Sequence, residues 1–427
     1  MSSNNNGKKN SSRLIFLDDD TVIRINESVG DEKNSSRYII LIVFSAFILR
    51  LMFALAVPTM PISDCSWYDR TAISICDGEG FSIDGKPTAY RTPGYSFVLG
   101  IIYKIFGKNF LYGYIFNAIL GAISVLLLIL FAKIFTKKWK IIGWIFALYP
   151  EHILYTNILS SEMLFQTLLL LWLLLIVDEK YIKSGILAAI MTYVRPVALL
   201  LPLLPILWDK YNWKKHIISF ALVILIITPW VIRNDSKLGS PVLTTNFWVN
   251  LWIGNSLHST GKYFDPKFPS VDDELTQEMW FRNELIQDFK ENPVENTLVV
   301  LKNVFIKLAY FYFPVMTAPV WGLATTLPHK YIFIVEILLS LINTIVVLIA
   351  INTILLWIIS WVRYLQKPYS FGPDFVIEYI VPVVIYFTAI IAIFFGADRF
   401  RFPILPLLIY CAVVGFKKFF SKTQNFY

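Results

Sequence analysis

Residues 110–133, FLYGYIFNAILGAISVLLLILFAK, carry no charge until the closing Lys133. A helix needs roughly 20 predominantly apolar residues to cross the hydrocarbon core of a bilayer, and this run supplies them. Apolar runs recur over 38–58, 141–157, 160–177, 181–194, 196–208, 216–232, 331–361, 376–396 and 402–416. The composition agrees: of 427 residues 56% are hydrophobic and 16% charged, with mean hydropathy +0.60, against roughly 25% charged in soluble domains. A water-soluble globule, a disulfide scaffold, a disordered regulator and a nucleic-acid binder are excluded. The sequence predicts an all-α polytopic membrane protein with about ten transmembrane helices.

Charge sets the expected orientation. Lys+Arg 38 against Asp+Glu 30 gives a net +8, and the excess sits in short turns between apolar runs, which reads as a topology signal and not as an anionic partner site. With the N-terminus in the cytosol, the inner turns carry Lys133, Lys137, Lys138 and Lys140, then Lys180 and Lys183, then Lys210, Lys214 and Lys215. Arg363, Lys367, Lys417 and Lys418 follow on the same side, so the C-terminus is cytosolic too. Residues 298–316 are apolar but interrupted by Lys302 and Lys307, and a span there would reverse the later charges. An interfacial helix is the better reading, and 92–107, with Lys104, reads similarly.

The resulting organisation is a disordered cytosolic tail over 1–37, a transmembrane module over 38–232 with a first outer loop at 59–109, an outer region with interfacial helices over 233–330, transmembrane helices over 331–416, and a cytosolic tail over 417–427. Long loops in a compact protein are usually functional. Cys65, Cys76 and Cys411 have no metal-ligand spacing and read as unpaired thiols.

On this topology Asp64, Asp69, Arg91, Glu162, Arg195, Arg233, Asp398, Arg399 and Arg401 share the outer side. Charges beside a membrane are costly, so their convergence points to a polar site roofed by the outer loops. Arg195-Pro196 and Arg401-Phe402-Pro403 place proline near the first turn of a helix starting outside. Free N–H groups there favour an anion, and a guanidinium beside them donates in bidentate fashion to phosphate. Arg195 and Arg401 are therefore candidate phosphate ligands, the alternative being arginines that snorkel to lipid headgroups. Asp64, Tyr68 and Ala72 recur at spacing four on one helical face. A carboxylate there suits a general base, and equally a helix N-cap. Arg50, inside the first span, fits no such role.

Several motifs are decoys. GFSIDGKP, Gly80 to Pro87, matches a phosphate-loop spacing but ends in proline where a magnesium-binding Ser or Thr belongs. A hairpin turning on Asp84-Gly85 explains it. Asp272-Asp273-Glu274 after Ser270 fits the first turn of a helix. Asp18-Asp19-Asp20 reads as a solvated cluster, and the four histidines form no metal motif. No cofactor or metal site is supported.

Taken in order, Asp64…Tyr68…Ala72…Gly80 with AYRTPGYSFVLGIIYKIFG, then YPEHILYTNILSSEMLF, YVRP, PWVIRNDSKLGSPVLTTNFWVNLWIGN and DRFRFPILP, resemble the family 39-like membrane glycosyltransferases. These are relatives of the dolichyl-phosphate-mannose protein mannosyltransferases and bacterial aminoarabinose transferases, with the GT-C fold. The resemblance runs from about residue 60 to 416. It implies transfer of a sugar from a polyprenyl-phosphate donor to a protein, lipid or glycan acceptor at the outer face of the cell membrane, with inversion. Asp64 matches the family's catalytic aspartate. Arg195 and Arg401, helped by Arg91 and Arg399, would hold the lipid phosphate. Glu162 matches the glutamate of an L-x-[ST]-E segment, where it would orient an arginine or the sugar, with Tyr68 and Asp69 beside it. Arg91 stands where several relatives carry a glutamate. The rival reading is a transporter or flippase for a lipid-linked or anionic solute; such proteins usually show internal repeats and polar groups at the midplane, and no repeat is found.

Overall fold

The computed structural model describes residues 14–18, 21–24, 29–57, 59–267, 273–366 and 376–421. A strand pair, β1 (Leu14–Asp18) with β2 (Thr21–Arg24), precedes α1 (Val29–Ala56). These strands and the start of α1 lie in the stretch expected to be disordered up to residue 37, and Asp19 and Asp20 of the acidic run lie outside the described residues. After α1 come α2 (Asp64–Asp77), the hairpin β3 (Ser82–Ile83) and β4 (Lys86–Pro87), α3 (Gly94–Phe106) and α4 (Phe110–Phe135). The hairpin turns on Asp84 and Gly85, at φ 51° and 74°, the left-handed pair that a two-residue connection demands.

Next are α5 (Trp139–Ala147), α6 (Pro150–Leu154), α7 (Ser161–Val177) and α8 (Tyr181–Val194). Two 3-10 stretches, Pro196–Ala198 and Leu201–Leu207, lead towards α9 (Trp213–Leu238). The outer region holds α10 (Phe247–Asn255), α11 (Glu274–Glu291), α12 (Pro293–Tyr312) and α13 (Thr317–Leu323). The chain closes with α14 (His329–Gln366), α15 (Val376–Ile393), a 3-10 turn at Asp398–Ile404 and α16 (Leu405–Ser421). α16 carries helix into the stretch expected to be a tail from 417.

The protein is an all-α, multi-pass membrane bundle, as the sequence predicts. Among the described residues six helices are long and apolar enough to cross a membrane, and a bent pair makes a seventh. Residues 141–157 are no single helix, because Pro150 starts a new one after a break at Leu148 and Tyr149. α7 and α8 have 17 and 14 residues, at and below the short end of the roughly 17–25 residues that a span takes. Residues 196–208 are held by proline in 3-10 geometry. The segment expected to be interfacial, 298–316, covers most of α12 and the break after it, where α12 and α13 form a pair bent by 52°.

Burial separates central from peripheral helices. α4 buries most of its surface, from Tyr114 and Asn117 to Phe131 and Ala132, leaves only an Ile119, Ile123 and Leu130 stripe exposed, and packs on α1, α5 and α7. α1 and α14 instead expose Ile40, Phe44, Met52, Phe333, Leu341 and Ile345, surface that lipid accommodates and water would not. Arg50 is buried in α1, donating to His152 Nδ1 at 2.7 Å, Ala147 O at 2.9 Å and Ala46 O at 3.0 Å. His152 in turn meets Gln166 at 2.7 Å. This intramembrane arginine is a satisfied link among α1, α6 and α7, which is what a buried charge requires.

Candidate functional site

The site begins at the turn into α2. Ser63 takes φ 50° and ψ −127°, a strained conformation for a residue with a Cβ, and Asp64 follows as the first helical residue. Its carboxylate is not spent on capping. One oxygen meets Arg91 Nη2 at 2.7 Å and the other accepts from Arg399 Nη1. Burial alone would push the Asp64 carboxyl up; the two guanidinium groups outweigh it and hold the group at about 2. Arg91 is raised in turn by Asp64, against the burial that would lower it.

Each arginine is seated on aromatic rings. Arg91 lies over Trp67, Tyr68 and Tyr90 at 5.6, 5.6 and 5.5 Å. Arg399 lies over Trp321 and Phe400 at 5.1 and 5.0 Å. Such faces attract a cation and fix its plane. The Arg91 Nε is buried and makes no hydrogen bond, so a donor remains beside the carboxylate.

A second pair stands next to the first. Glu162 lies in the first turn of α7, and Arg195 follows the last residue of α8; they meet at 2.7 Å. Ser161 Oγ links the pairs, accepting from Tyr68 OH at 3.2 Å and from Arg195 Nη1 at 3.4 Å. All of these residues line one cavity of about 680 Å³. Three guanidinium groups there face two carboxylates, Asp64 and Glu162, with Asp265 at the exposed rim. Another wall is apolar, made by Val197, Trp321, Phe387, Ile390, Ile391 and Phe394 from the neighbouring helices. The cavity can thus take a molecule with a charged head and a hydrocarbon body.

Two predicted residues lie off this cavity, Arg401 and Asp69. Arg401 is fully buried and absent from the cavity wall. Its Nη2 binds both oxygens of Glu151 at 3.0 and 3.1 Å, and its Nη1 donates to Phe311, Tyr312 and Pro314 carbonyls at 2.9 to 3.1 Å. With Nη1 and Nη2 committed to internal partners, Arg401 clamps buried segments together and stands off the cavity where a phosphate ligand was expected. Asp69 accepts from Tyr103 OH and ties α2 to α3, one turn past Asp64 and off the cavity; burial raises its carboxyl. Asp398, near the site in sequence, caps α13, accepting from Met316 N at 2.7 Å and Thr317 N at 2.8 Å.

Sequence reasoning missed other parts of the wall: Asn246 and Asn250 of the α10 region, and Tyr263 with Asp265 beyond it. No local spacing marks them, because they reach the cavity through the packing of α10 on α11 and α15. Asp273 and Glu274 fall where the acidic run predicts, Asp273 capping α11 by accepting from Thr276 N at 2.8 Å; Ser270 and Asp272 lie outside the described residues. Among the described residues no cluster of His, Cys, Asp and Glu could hold a metal ion, and Cys65, Cys76 and Cys411 are free thiols.

No protein-family model and no curated protein sequence matches the chain. Among solved structures the chain is similar to ArnT from Cupriavidus metallidurans in the apo state, at 10% identity and TM-score 0.44, with 90% of this chain and 77% of that one covered. It is similar also to the same ArnT bound to undecaprenyl phosphate, at 12% identity and TM-score 0.40, with 90% and 78% covered.

Proposed function

We propose that this protein is an integral membrane glycosyltransferase that moves a sugar from a polyprenyl-phosphate donor to a hydroxyl or similar acceptor at the outer membrane face. The observation that carries the reading is one cavity with a cationic wall and an apolar wall, and a carboxylate between two arginines at their junction. The motif resemblance points the same way, and Asp64, Arg91, Glu162, Arg195 and Arg399 converge on that cavity from distant parts of the chain.

The chemistry needs little else. Asp64 takes the proton of the acceptor hydroxyl while the acceptor oxygen bonds to the anomeric carbon. The bond from that carbon to the donor phosphate breaks on the opposite face, its electron pair leaving with the polyprenyl phosphate, so the configuration inverts. Arg91, Arg195 and Arg399 stabilise the departing charge. Without donor, Asp64 is too acidic to be an effective base at neutral pH. A phosphate seated beside Arg91 and Arg399 shares their charge, which raises the basicity of Asp64 at the moment it is needed. Glu162 holds Arg195 towards the cavity.

The test is transfer from a radiolabelled undecaprenyl-phosphate-linked sugar by the purified protein. General-base removal costs about 10²–10⁴-fold, so Asp64→Asn should lose transfer to that extent while retaining affinity for undecaprenyl phosphate. Arg195→Ala should lose that affinity. Undiminished transfer by Asp64→Asn sinks the base assignment, and unchanged affinity in Arg195→Ala sinks the phosphate role.

A further inference from the structure

Arg91 stands on a segment that has no secondary structure of its own to fix it. Thr88, Ala89 and Tyr90, which lead into it, lie between the β3–β4 hairpin and α3 and belong to neither helix nor strand. The segment is instead held from outside. Arg233 on α9 donates to Thr88 O and Phe81 O, both at 2.8 Å. Thr245 N donates to Ala89 O at 2.9 Å. The remaining anchor is a carboxylate, Glu274 at the start of α11: it accepts from Ala89 N at 3.0 Å, from Thr245 Oγ1 at 2.8 Å and from Thr88 Oγ1. Thr88 and Ala89 are buried, so water would not replace these bonds without a rearrangement.

α11 is docked independently of Glu274. Phe281 and Leu285 pack into a small core with Val249, Trp252 and Ile253 of α10. Glu278 accepts from Trp248 N at 2.8 Å, and Asp288 from Leu257 N at 3.1 Å. Glu274 therefore projects from a fixed helix onto the backbone two residues before Arg91. The ring contacts of Arg91 with Trp67 and Tyr68 on α2 are made only if that backbone is in place.

We propose that Glu274 is a positioning residue of the site, acting through Arg91: it fixes the Thr88–Tyr90 backbone so that the Arg91 guanidinium lies against Asp64. The inference deepens the functional reading above, because it names how the outer region bearing α11 controls the arginine of the first outer loop. A Cβ-truncated residue 274 leaves Ala89 N and two threonine hydroxyls without their acceptor. A glutamine restores an acceptor of the same reach and a donor for Thr88, so charge is not the requirement.

The experiment is a double-mutant cycle on the full-length protein in detergent or nanodiscs, with two readouts. The first is the pH at which Asp64 becomes reactive to a carbodiimide, followed by mass spectrometry of its peptide, which needs no substrate. Arg91→Ala removes one of the two charges that keep Asp64 ionised, so labelling should extend upward by ~1 pH unit. Glu274→Ala should reproduce that shift, Glu274→Gln should not, and Glu274→Ala should add nothing in the Arg91→Ala background. The second readout is affinity for undecaprenyl phosphate, expected to fall about tenfold in Glu274→Ala and to be restored in Glu274→Gln. Thermal unfolding of each variant establishes that it is folded. An unchanged Asp64 titration in folded Glu274→Ala, or an equal further shift on top of Arg91→Ala, overturns the positioning role. If the titration follows the cycle but wild-type protein does not bind undecaprenyl phosphate, the positioning role stands and the donor reading falls.

Discussion

Asp64 is held by guanidinium groups from positions 91 and 399, each on its own carboxylate oxygen. This arrangement has a pH consequence with a definite sign. The folded-state value of about 2 lies below the ordinary 3.8, so the folded protein binds a proton less readily than the unfolded chain. The stability contributed by the two ion pairs is then fully present above about pH 4 and is lost as pH falls from there through about 2. Thermal unfolding in detergent should therefore be flat for this contribution from neutral pH down to about 4 and decline below it. In Asp64→Asn that part of the acid decline should be absent. A decline of equal size and position in the variant would show that other carboxylates account for it. Spacing alone left Asp64 open between cap and base; the tertiary contacts remove it from capping by placing both oxygens on arginines.

Among the elements, the short helix α6 buries Glu151, His152 and Leu154 within five residues. Pro150 breaks the apolar run at 141–157, and the resulting turn buries Glu151 and His152 where a continuous helix would have aimed them elsewhere. Glu151 and Arg401 join α6 to the 3-10 turn before α16, and Arg401 also binds the carbonyls at the bend between α12 and α13. Removing one member of a buried ion pair leaves the other charged and uncompensated, at about 3–5 kcal/mol. Arg401→Met should destabilise the protein by that amount in a denaturant titration, and adding Glu151→Gln should recover part of it. Additive losses would mean that the two side chains do not act as a pair. Arg401 was legible in the sequence as an important arginine and misleading as to its task. A Pro-flanked arginine at a helix start fits an anion site, and only the burial of Glu151 against it reveals an internal partner.

At the scale of the whole molecule, polarity is divided between two ends of the bundle. Lys138, after α4, donates to Val413 and Val414 carbonyls in α16 at 3.0 Å, while Asp64 and Arg399 meet beyond the other end of that helix. Lys138 and the cavity therefore lie towards opposite ends of α16, and the positive-inside rule predicts that the lysine-rich turns face the cytosol. The hairpin tip at Asp84 is exposed on the cavity side and Lys137 is exposed on the other. In a Cys76→Ser background, Asp84→Cys should react with a membrane-impermeant maleimide in intact cells, and Lys137→Cys only after permeabilisation. The reverse pattern would place the site in the cytosol.

The sequence by itself determined the class of the protein, because hydropathy is a property of each run and needs no partner. It also determined the hairpin at Asp84-Gly85 and the helix start at Asp273-Glu274, where turn and cap chemistry act over four residues or fewer. It brought Asp64, Arg91, Glu162, Arg195 and Arg399 forward as charges that a membrane protein would not carry idly. The tertiary structure decided which charges work together. Arg399 and Arg401 are two residues apart in sequence, yet one lines the cavity and the other is sealed inside the bundle. It also decided where the apolar runs break, since prolines at 150, 196, 202 and 205 divide or tighten runs that hydropathy alone treats as continuous. The physical reason is range: apolarity and capping are local, whereas an ion pair between residues 64 and 399 exists only once the helices between them have packed.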